Sequence, residues 1–583
     1  MPLNLTLRSA AGALVLCLAL LCVFPSLSYA QVSPSFPANI DPAEELERER
    51  EEERRREELE NFERREPAPA PDSAPLEPQA APSGDGPCVQ IDSIIVSGAR
   101  KLDNAGRTSH LIAGYAPSCM TKEDISAVMK AIDTGYVELG FITSRAYIEK
   151  QNFKDKTLKL RVVEGVVEAI RFEDAEGGKE AAQRLVTAFP KPLGRVLQLR
   201  DFEQGLDQIN RLQSAKAKMK LAPGEKPGGS VVNITVEDKH RLRTFASWSN
   251  QGSKATGKDQ FRLGLSAENV LKANDIWGVS YVGTLNSNAI SVNGSMPLGY
   301  LTLNMGAVAS DYLIGLTPTS ELYGDTFSAN ASLNYVINRD SQTKSFVEVG
   351  IEGRQARRFI NAFQLTPQSL VTARLTAGHI IETKRAKISM DASYLRGVSL
   401  FGATKDPIDV GQRDAHAQFE AFEFGVARLP KPQKWGRWIV SARAKVSGTP
   451  LYGPEQTPIG ARSTVRGFKN TALSADKAVY IRNDFLPATP QGWKDMSKKL
   501  PGGPEGHLSK VSQSLQPYAF FDAGMGKSLA SKRTEVAGGI GMGIKLKGKY
   551  ASFDIGGEIP MAKREFREFN KPRVLASLSL KWP

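Results

Sequence analysis

The sequence predicts an α+β N-terminal part of two small modules, followed by a 16-stranded antiparallel transmembrane β-barrel, with a charged, plug-like helix ahead of the modules. Three observations predict this fold class. Two modules of about 75 residues each precede residue 240, strands of alternating polarity replace helical periodicity after it, and all six tryptophans lie in that second region. A helical membrane protein is excluded, because beyond the N-terminus no apolar run approaches the roughly 18–20 residues that a spanning helix needs.

Residues 1–30 have the pattern of a signal peptide. Arg8 forms a short basic region, Ala13–Phe24 is apolar, and small residues precede a predicted cleavage between Ala30 and Gln31. The alternative, an N-terminal anchor helix, is disfavoured because the apolar run is short and is followed by a proline. We therefore expect the protein to leave the cytoplasm.

Two of the four cysteines belong to the signal peptide, which leaves Cys88 and Cys119 in the mature chain. In an oxidising compartment two cysteines most simply form one disulfide, and a loop of about 30 residues gives a stabilisation of roughly 3 kcal/mol in the chain-entropy model. A metal site would need more ligands, and the five histidines are scattered. No metal and no cofactor is predicted.

Charge is distributed unevenly along the chain, which has 76 Lys and Arg against 63 Asp and Glu and a net charge of +13. Residues 31–87 carry 16 acidic and 7 basic side chains, a net charge of −9, whereas residues 88–583 carry +21. A basic body is compatible with nucleic acid, an anionic surface, or an interior sheltered from bulk solvent. Because the predicted export signal and barrel place it outside the cytoplasm, no nucleic-acid partner is expected.

The acidic segment itself divides into a charged helix, residues 31–66, and a Pro/Ala-rich linker, residues 67–87. From Glu44 to Arg65 nearly every residue is Glu or Arg, so the helix has no apolar face to bury. It is either a solvated helix or a rod in a polar cavity. About 24 residues would span roughly 36 Å, close to the height of an outer-membrane barrel.

The two modules are predicted at residues 88–164 and 165–239. The first has the order β-α-α-β-β, with a strand at Val89–Val96, a helix at Lys122–Leu139, and strands at Ala146–Ile148 and Thr157–Val163. The second repeats this plan with a strand at Gly165–Phe172, helices at Glu180–Phe189 and Leu199–Leu212, and strands at Ala217–Leu221 and Ser230–Glu237. The similar size and order indicate a tandem repeat.

Residues 240–583 are predicted to form the barrel. Segments such as 277–285 alternate apolar residues with Gly, Ser, Thr and Asn. Eleven such strands fit between residues 242 and 450, and five more at about 478–486, 515–525, 535–547, 550–558 and 573–582. An even number of strands with about 21 residues each, connection included, suits an outer-membrane barrel. A soluble all-β array shows similar alternation, but the tryptophans and the amphipathic last strand, which ends at Trp582, favour the membrane.

No catalytic constellation is recognisable, and no catalytic or cofactor-binding residue is predicted. Gly524–Ser528 is close to a phosphate-binding loop, but Phe521 stands where the first glycine is needed and no helix follows. Alternating glycines at Gly539–Gly543 allow neighbouring backbones to approach in a barrel strand. The chain is therefore not expected to be an enzyme.

Two segments resemble motifs of the outer-membrane assembly and secretion superfamily. Ile459–Phe468, which contains Val-Arg-Gly-Phe, is similar to the motif of its long sixth loop, and Tyr518–Gly524 is similar to its companion F-x-D-x-G strand. The resemblance implies that the loop, at about residues 451–477, folds into the barrel. It further implies a lock formed by Arg466, Gly467 and Phe468 with Asp522, in which Arg466 pairs with Asp522.

Within the superfamily, the closest resemblance is to the two-partner secretion transporters, the TpsB family of haemolysin and filamentous-haemagglutinin exporters. It rests on Ile142–Ile148, Leu158–Gly165, Leu199–Leu212, Ala222–Gly224 and Arg482–Asp484. The resemblance implies that the two modules are POTRA domains in the periplasm and that the barrel lies in the Gram-negative outer membrane.

The function that this resemblance implies is the export of an unfolded TpsA-like exoprotein. Its N-terminal secretion domain would be recognised by the POTRA domains, and the chain would then pass through the barrel. Further implied partners are outer-membrane lipid and the barrel assembly machinery, and the expected state is a monomer. The alternative is a membrane-protein insertase of the same superfamily, whereas a passive porin would not explain the tandem modules.

Overall fold

The computed structural model describes residues 48, 87–172, 179–189, 193–253, 255–340, 342–468, 473–488, 515–562 and 571–582. The predicted signal peptide with its cleavage site at Ala30 and Gln31, the linker up to residue 86 and all of the charged helix except Arg48 lie outside the described residues. The chain divides into two compact units, one mainly from residues 64–239 and the other mainly from residues 240–583. Among the described residues, no helix has both the length and the apolar character required to cross a membrane.

The first module contains five strands and three helices in the described residues. They are β1 (Val89–Ile91), β2 (Ser93–Ser97), α1 (Arg100–Asn104), α2 (Thr108–Ile112), β3 (Ser118–Met120), α3 (Lys122–Glu138), β4 (Arg145–Ile148) and β5 (Thr157–Val163). The main sheet has the order β2-β5-β4, with β2 parallel and β4 antiparallel to the central β5.

The predicted single strand Val89–Val96 is wrong in one respect, because the chain interrupts it at Asp92. The first part, β1, pairs antiparallel with β3 in a separate two-stranded sheet, whereas β2 joins the main sheet. At the break, the backbone N–H of Asp92 donates to the carbonyl of Lys156 at 2.7 Å. Alternation of side chains could not show this break, because both parts are extended.

Helix α3 packs the core of the first module. A capping box starts it, in which Thr121 Oγ1 accepts from the N–H of Asp124 and the Asp124 carboxylate accepts from the N–H of Thr121. Its apolar face buries Val128 and Ile132 against the sheet. Tyr136, on the same face, donates its hydroxyl hydrogen to Glu164 at 2.9 Å. Burial, with that carboxylate, raises the pKa of Tyr136 well above its ordinary value, so the phenol stays neutral.

The second module repeats the strand arrangement of the first. Its elements are β6 (Val166–Phe172), α4 (Lys179–Ala188), α5 (Leu199–Asn210), β7 (Ala215–Pro223) and β8 (Gly229–Asp238). The sheet order is β6-β8-β7, so again the last strand is central, parallel to the first and antiparallel to the one before it. Phe202 of α5 packs on Phe189 with ring centroids 5.5 Å apart. The shared topology explains the tandem repeat in the sequence.

The second unit is built from strands that follow one another in chain order. They are β9 (Leu242–Ser249), β10 (Gln260–Glu268), β11 (Ile276–Gly283), β12 (Ser287–Leu298), β13 (Leu301–Thr317), β14 (Ser320–Arg339), β15 (Thr343–Ile360), β16 (Phe363–Gln364), β17 (Gln368–Glu382), β18 (Ala386–Gly397), β19 (Glu420–Pro430), β20 (Gly436–Ser447), β21 (Thr457–Ile459), β22 (Leu473–Ala475), β23 (Lys477–Pro487), β24 (Leu515–Lys527), β25 (Thr534–Lys547), β26 (Ala551–Ala562) and β27 (Arg573–Trp582).

Sixteen of these strands close into an antiparallel barrel, which confirms the predicted number. The seam joins the last strand to the first, from Ser577 opposite Ser249 to Trp582 opposite Thr244. The short β16 pairs only with β15, and β21 pairs with β22 inside a loop. Closure gives each of the sixteen barrel strands a partner on both sides, which is what a sheet in lipid requires.

Side-chain alternation gives the barrel wall two different faces. On β10, Phe261, Leu263 and Leu265 point outward and are 41–56% exposed, as lipid-facing residues must be. The opposite face, which we call the luminal face, carries the intervening polar residues such as Arg262 and Ser266. The register of each neighbouring pair extends this division around the barrel.

Replacing both Cys88 and Cys119 with serine is expected to lower the free energy of unfolding of the first module by about 3 kcal/mol, because the disulfide restricts the unfolded chain. Limited proteolysis of the full chain in increasing urea would measure the shift. Reduction of the unsubstituted protein should reproduce it and should leave the serine variant unchanged. Two free thiols in protein made in an oxidising compartment would contradict the pairing.

Candidate functional site

The candidate site lies on the loop between β20 and β23, residues 448–476, which the structure describes except for residues 469–472. Within the loop, β21 and β22 form a short hairpin in which Thr457 lies opposite Ala475. The prediction placed this loop at about residues 451–477. The Val-Arg-Gly-Phe segment follows β21.

Arg466 binds two carboxylates on the luminal face of the barrel. Its Nε–H donates to Asp522 Oδ2 at 2.6 Å and its Nη2–H to Asp522 Oδ1 at 2.8 Å, while Nη1–H donates to Asp484 Oδ1 at 2.6 Å. The backbone N–H of Arg466 also donates to Asp522 Oδ2, at 3.1 Å. The guanidinium carbon lies 3.9 Å from the centroid of the Phe520 ring. The structure thus brings together the predicted pair Arg466 and Asp522.

The environment of Asp522 explains why this pairing is strong. Its side chain is fully buried, and an unpaired carboxylate there would pay the full cost of desolvation. The planar guanidinium matches both carboxylate oxygens at once, which a lysine could not do. The second carboxylate, Asp484, is one-third exposed and gives the guanidinium a further acceptor.

The sequence did not assign a role to Asp484, although its segment Arg482–Asp484 was noted. The pairing of β23 with β24 shows why Asp484 joins the site. Asp484 lies opposite Phe520, two positions from Asp522 along β24, so both carboxylates project from adjacent strands to the same face.

Backbone shape and an apolar cluster hold the loop tip close to the wall. Gly467 has a φ of 102°, a conformation that favours glycine. A Cβ added at Gly539 would lie 1.9 Å from the carbonyl oxygen of Arg466, so only glycine lets β25 pass this closely. Phe468 is 4% exposed and belongs to a cluster with Ile459, Val465, Ala475, Ala478 and Ala537.

The root of the loop is fixed by Asp476, a residue that sequence reasoning missed. Its fully buried carboxylate accepts from the N–H of Leu451 at 2.7 Å, from Gln456 Nε2 at 3.0 Å and from the N–H of Leu529 at 2.6 Å. Two of these donors come from the start of the same loop and the third from the loop after β24, whereas Asp476 lies at the end of the loop. No motif surrounds Asp476, so only the folded loop shows its role.

A charged network on the luminal face supports the loop stem from the other side. Glu455 accepts from Thr372 Oγ1 at 2.6 Å and lies 3.9 Å from Lys445 Nζ. Lys445 also pairs with Glu423 at 3.1 Å, and Glu423 pairs with Arg374 at 2.9 Å. The stem is therefore tied to strands β17, β19 and β20 as well.

The predicted disulfide residues lie in the first module, apart from this loop. Cys88 precedes β1 and Cys119 lies on β3, and their sulfurs are joined, with Cα atoms 5.4 Å apart. Within the described part of the chain, no three His, Cys, Asp or Glu residues are grouped in a way that could hold a metal ion.

This arrangement is suited to holding a loop rather than to a chemical reaction. Arg466 and Asp522 form a fixed ion pair to which Asp484 adds a second carboxylate, and the loop residues beside Arg466 pack in an apolar cluster. The loop is thus held at its tip, its stem and its root against the luminal face of a closed barrel.

Known proteins share this architecture. The chain matches the family described as haemolysin secretion/activation protein ShlB/FhaC/HecB over residues 228–546, the ShlB-type POTRA domain over residues 89–165 and a further POTRA domain over residues 166–223. It is 30% identical over 430 residues to the outer membrane transporter CdiB of Escherichia coli, covering 71% of this chain and 72% of the relative.

A second relative and a solved structure agree with this match. The hemolysin transporter protein ShlB of Serratia marcescens is 27% identical over 440 residues, which cover 73% of this chain and 76% of the relative. The structure of CdiB from Escherichia coli has a TM-score of 0.81 at 25% identity and covers 93% of this chain and 98% of that one. The chain therefore belongs to the ShlB/FhaC/HecB family and is an outer-membrane transporter of two-partner secretion, with POTRA domains in the periplasm.

Proposed function

We propose that this transporter takes an unfolded, secreted exoprotein in the periplasm, recognises its N-terminal secretion domain with the POTRA domains and exports the chain through the barrel. The observation that carries the proposal is the loop tip held against the luminal face by Arg466. A loop fixed in this way blocks part of the pore at rest, and its release widens the path for an extended polypeptide.

Recognition is proposed to occur by strand addition on the POTRA sheets. In the first module β4 is an edge strand of the sheet β2-β5-β4, and it exposes Tyr147 and Ile148 by 54% and 53%. An extended client can hydrogen-bond to the free main chain of such an edge, while apolar side chains select its sequence. Apolar side chains on an edge strand expose apolar area to water at a cost in free energy, and a bound client strand would cover them.

The roles of the predicted site residues follow from this proposal. Arg466, Gly467, Phe468 and Asp522 form the lock of the sixth loop, and Cys88 with Cys119 stabilises the first POTRA domain. The charged helix, residues 31–66, is proposed as a removable plug whose acidic character complements the basic body of the chain. In this proposal the charged helix closes the pore by occupying it and has no catalytic role.

Several further features of the proposal concern partners. The protein acts as a monomer in outer-membrane lipid, where the barrel assembly machinery inserts it, and it has no catalytic activity, cofactor or nucleic-acid partner.

No nucleotide is available outside the cytoplasm, so folding of the client on the far side supplies the driving force. The alternative of an insertase is less well supported, since the relatives CdiB and ShlB are named as transporters.

Co-expression with a candidate exoprotein encoded beside the transporter would test the proposal. Release of the exoprotein to the cell surface should depend on the transporter. Equal release without the transporter would contradict export as its function.

Removing either charge of the lock is expected to abolish export. Arg466→Ala or Asp522→Asn leaves one partner of a buried pair, a loss of about 3–5 kcal/mol that frees the loop tip. Exoprotein release measures the effect, and heat-modifiable migration in gels checks that the barrel is folded. Arg385→Ala, in the exposed turn between β17 and β18, is the control and should export normally. Full export by Arg466→Ala would refute the lock.

Adding one methyl group beside the loop tip should unlock it without touching a charge. In Gly539→Ala the new Cβ collides with the Arg466 carbonyl, whereas Gly557→Ala on the next strand meets no atom within 4 Å. A cysteine at the buried Val465 reports the change through its labelling rate with a soluble maleimide. We expect faster labelling with Gly539→Ala only. Equal rates in both variants would contradict close packing of the tip.

Deleting residues 41–66 is expected to raise single-channel conductance, because the proposed plug would be absent. Higher salt should also raise the basal opening of the intact protein by screening the attraction between plug and pore. The deletion variant is the control, since salt should not open it further. Unchanged conductance after the deletion would argue for a merely solvated helix.

A further inference from the structure

The luminal face of the barrel is chemically divided into two walls. On β11, β12, β13 and residues 320–336 of β14 it carries no charged side chain, but glycine, serine, threonine and asparagine together with Tyr312 and several apolar residues. We call this the neutral wall. The other barrel strands, which are β15, β17 to β27, β9 and β10, carry charged luminal side chains, many of them paired, as in Arg443 with Asp391 and Arg573 with Glu558. We call these strands the charged wall. It begins beside Asn330, which lies opposite Glu352 of β15.

The neutral wall lies directly across the barrel from the lock. In the closed order of sixteen strands, β12 is eight strands from β23 in either direction, and β13 is eight strands from β24. Those two partners carry Asp484 and Asp522, to which the loop tip is tied. The loop is thus held on the side of the barrel that is farthest from the neutral wall.

The centre of the neutral wall is one row of alternating glycine and asparagine. Gly278 lies opposite Asn293, Asn293 opposite Gly306, and Gly306 opposite Asn330. A Cβ at Gly278 would lie 2.8 Å from the Asn293 amide oxygen, and one at Gly306 would lie 3.3 Å from the Asn330 amide. Both asparagine side chains therefore lie over their glycine neighbours on the luminal surface of the wall.

Neighbouring rows show the same chemistry. The hydroxyls of Ser280 and Ser291 are 2.8 Å apart, and Ser295 Oγ donates to Asn304 Oδ1 at 2.8 Å. Small polar groups of this kind form a low, even surface that offers both donors and acceptors.

A neutral wall of this kind would bind a passing polypeptide only weakly, so the polypeptide could move along it. At an effective dielectric constant near 20, a fixed charge attracts an opposite charge about four times more strongly than in water, so a charged wall would retain parts of a passing chain. Hydroxyl and amide groups exchange hydrogen bonds with peptide groups or water at little net cost. A path over neutral groups therefore tolerates any client sequence.

We propose that the exported polypeptide passes in extended form along the neutral wall, with its peptide groups bonding in turn to the Asn293 and Asn330 amides. The charged wall instead holds the sixth loop in place. This inference rests on the proposed export function and specifies which part of the pore conducts the client.

The test uses the full chain and the exoprotein that it releases, extended by a disulfide-closed domain that stalls the exoprotein in the pore. A photo-crosslinking residue is placed at Asn293 or Asn330, and at Ser441 or Ser577 as luminal controls on the charged wall. We expect crosslinks from the first two positions and few from the controls. Crosslinks mainly from Ser441 and Ser577 would overturn the neutral wall as the path, although export itself would stand.

Charge substitutions supply a second readout that does not need stalling. Asn293→Lys with Asn330→Lys should reduce release about tenfold, the factor that corresponds to about 1.4 kcal/mol of retention, whereas Ser441→Lys with Ser577→Lys should leave it nearly unchanged. Gel migration checks that both barrels fold. An unaffected Asn293/Asn330 variant would overturn the inference. Absence of release from the unsubstituted protein would instead contradict the export function and this inference with it.

Discussion

The burial of Arg466 beside Asp522 is the interaction on which the rest of the loop depends. Asp522 has no contact with solvent, so its charge is tolerable only while the guanidinium is in place. Every other feature of the tip follows from this requirement: the positive φ of Gly467, the missing side chain at Gly539 and the packing of Phe468 all bring the backbone close enough for the pair to form. The ion pair with Asp484 and the contact with the Phe520 ring add to the attraction for the same cation.

The register of the strands decides whether Asp522 faces the lumen, where Arg466 can reach it. Because side chains alternate, Asp522 faces the lumen while Phe521 beside it is 48% exposed toward lipid. A slip by one residue would exchange the two and destroy both the lock and the apolar outer surface. Within the lumen, the sequences of the individual strands place small neutral groups on β11 to β14 and charges on the other strands. The strands that hold the loop therefore differ from those of the proposed passage.

The sequence was sufficient for the features that depend on local pattern. Alternation, tryptophan placement and the even count identify sixteen strands, and the structure confirms that number. The pairing of Arg466 with Asp522 was implied by resemblance, and the two residues lie together. Asp476 and Glu455 could not be found in this way, because their partners Leu451, Gln456 and Thr372 become neighbours only through the path of the folded loop. The break at Asp92 was missed because extended segments in two different sheets share one hydrophobic pattern.

The position of the loop tip in membranes is the most direct measure of whether the ion pair holds it inside the barrel. Spin labels at Ser463→Cys, beside the tip, and at Ser577→Cys, on the luminal face of β27, would give the distance distribution by pulsed electron paramagnetic resonance. The account predicts one narrow distribution in the resting protein and a broad one after Asp522→Asn. The same narrow distribution in both proteins would show that something other than Arg466 and Asp522 fixes the loop.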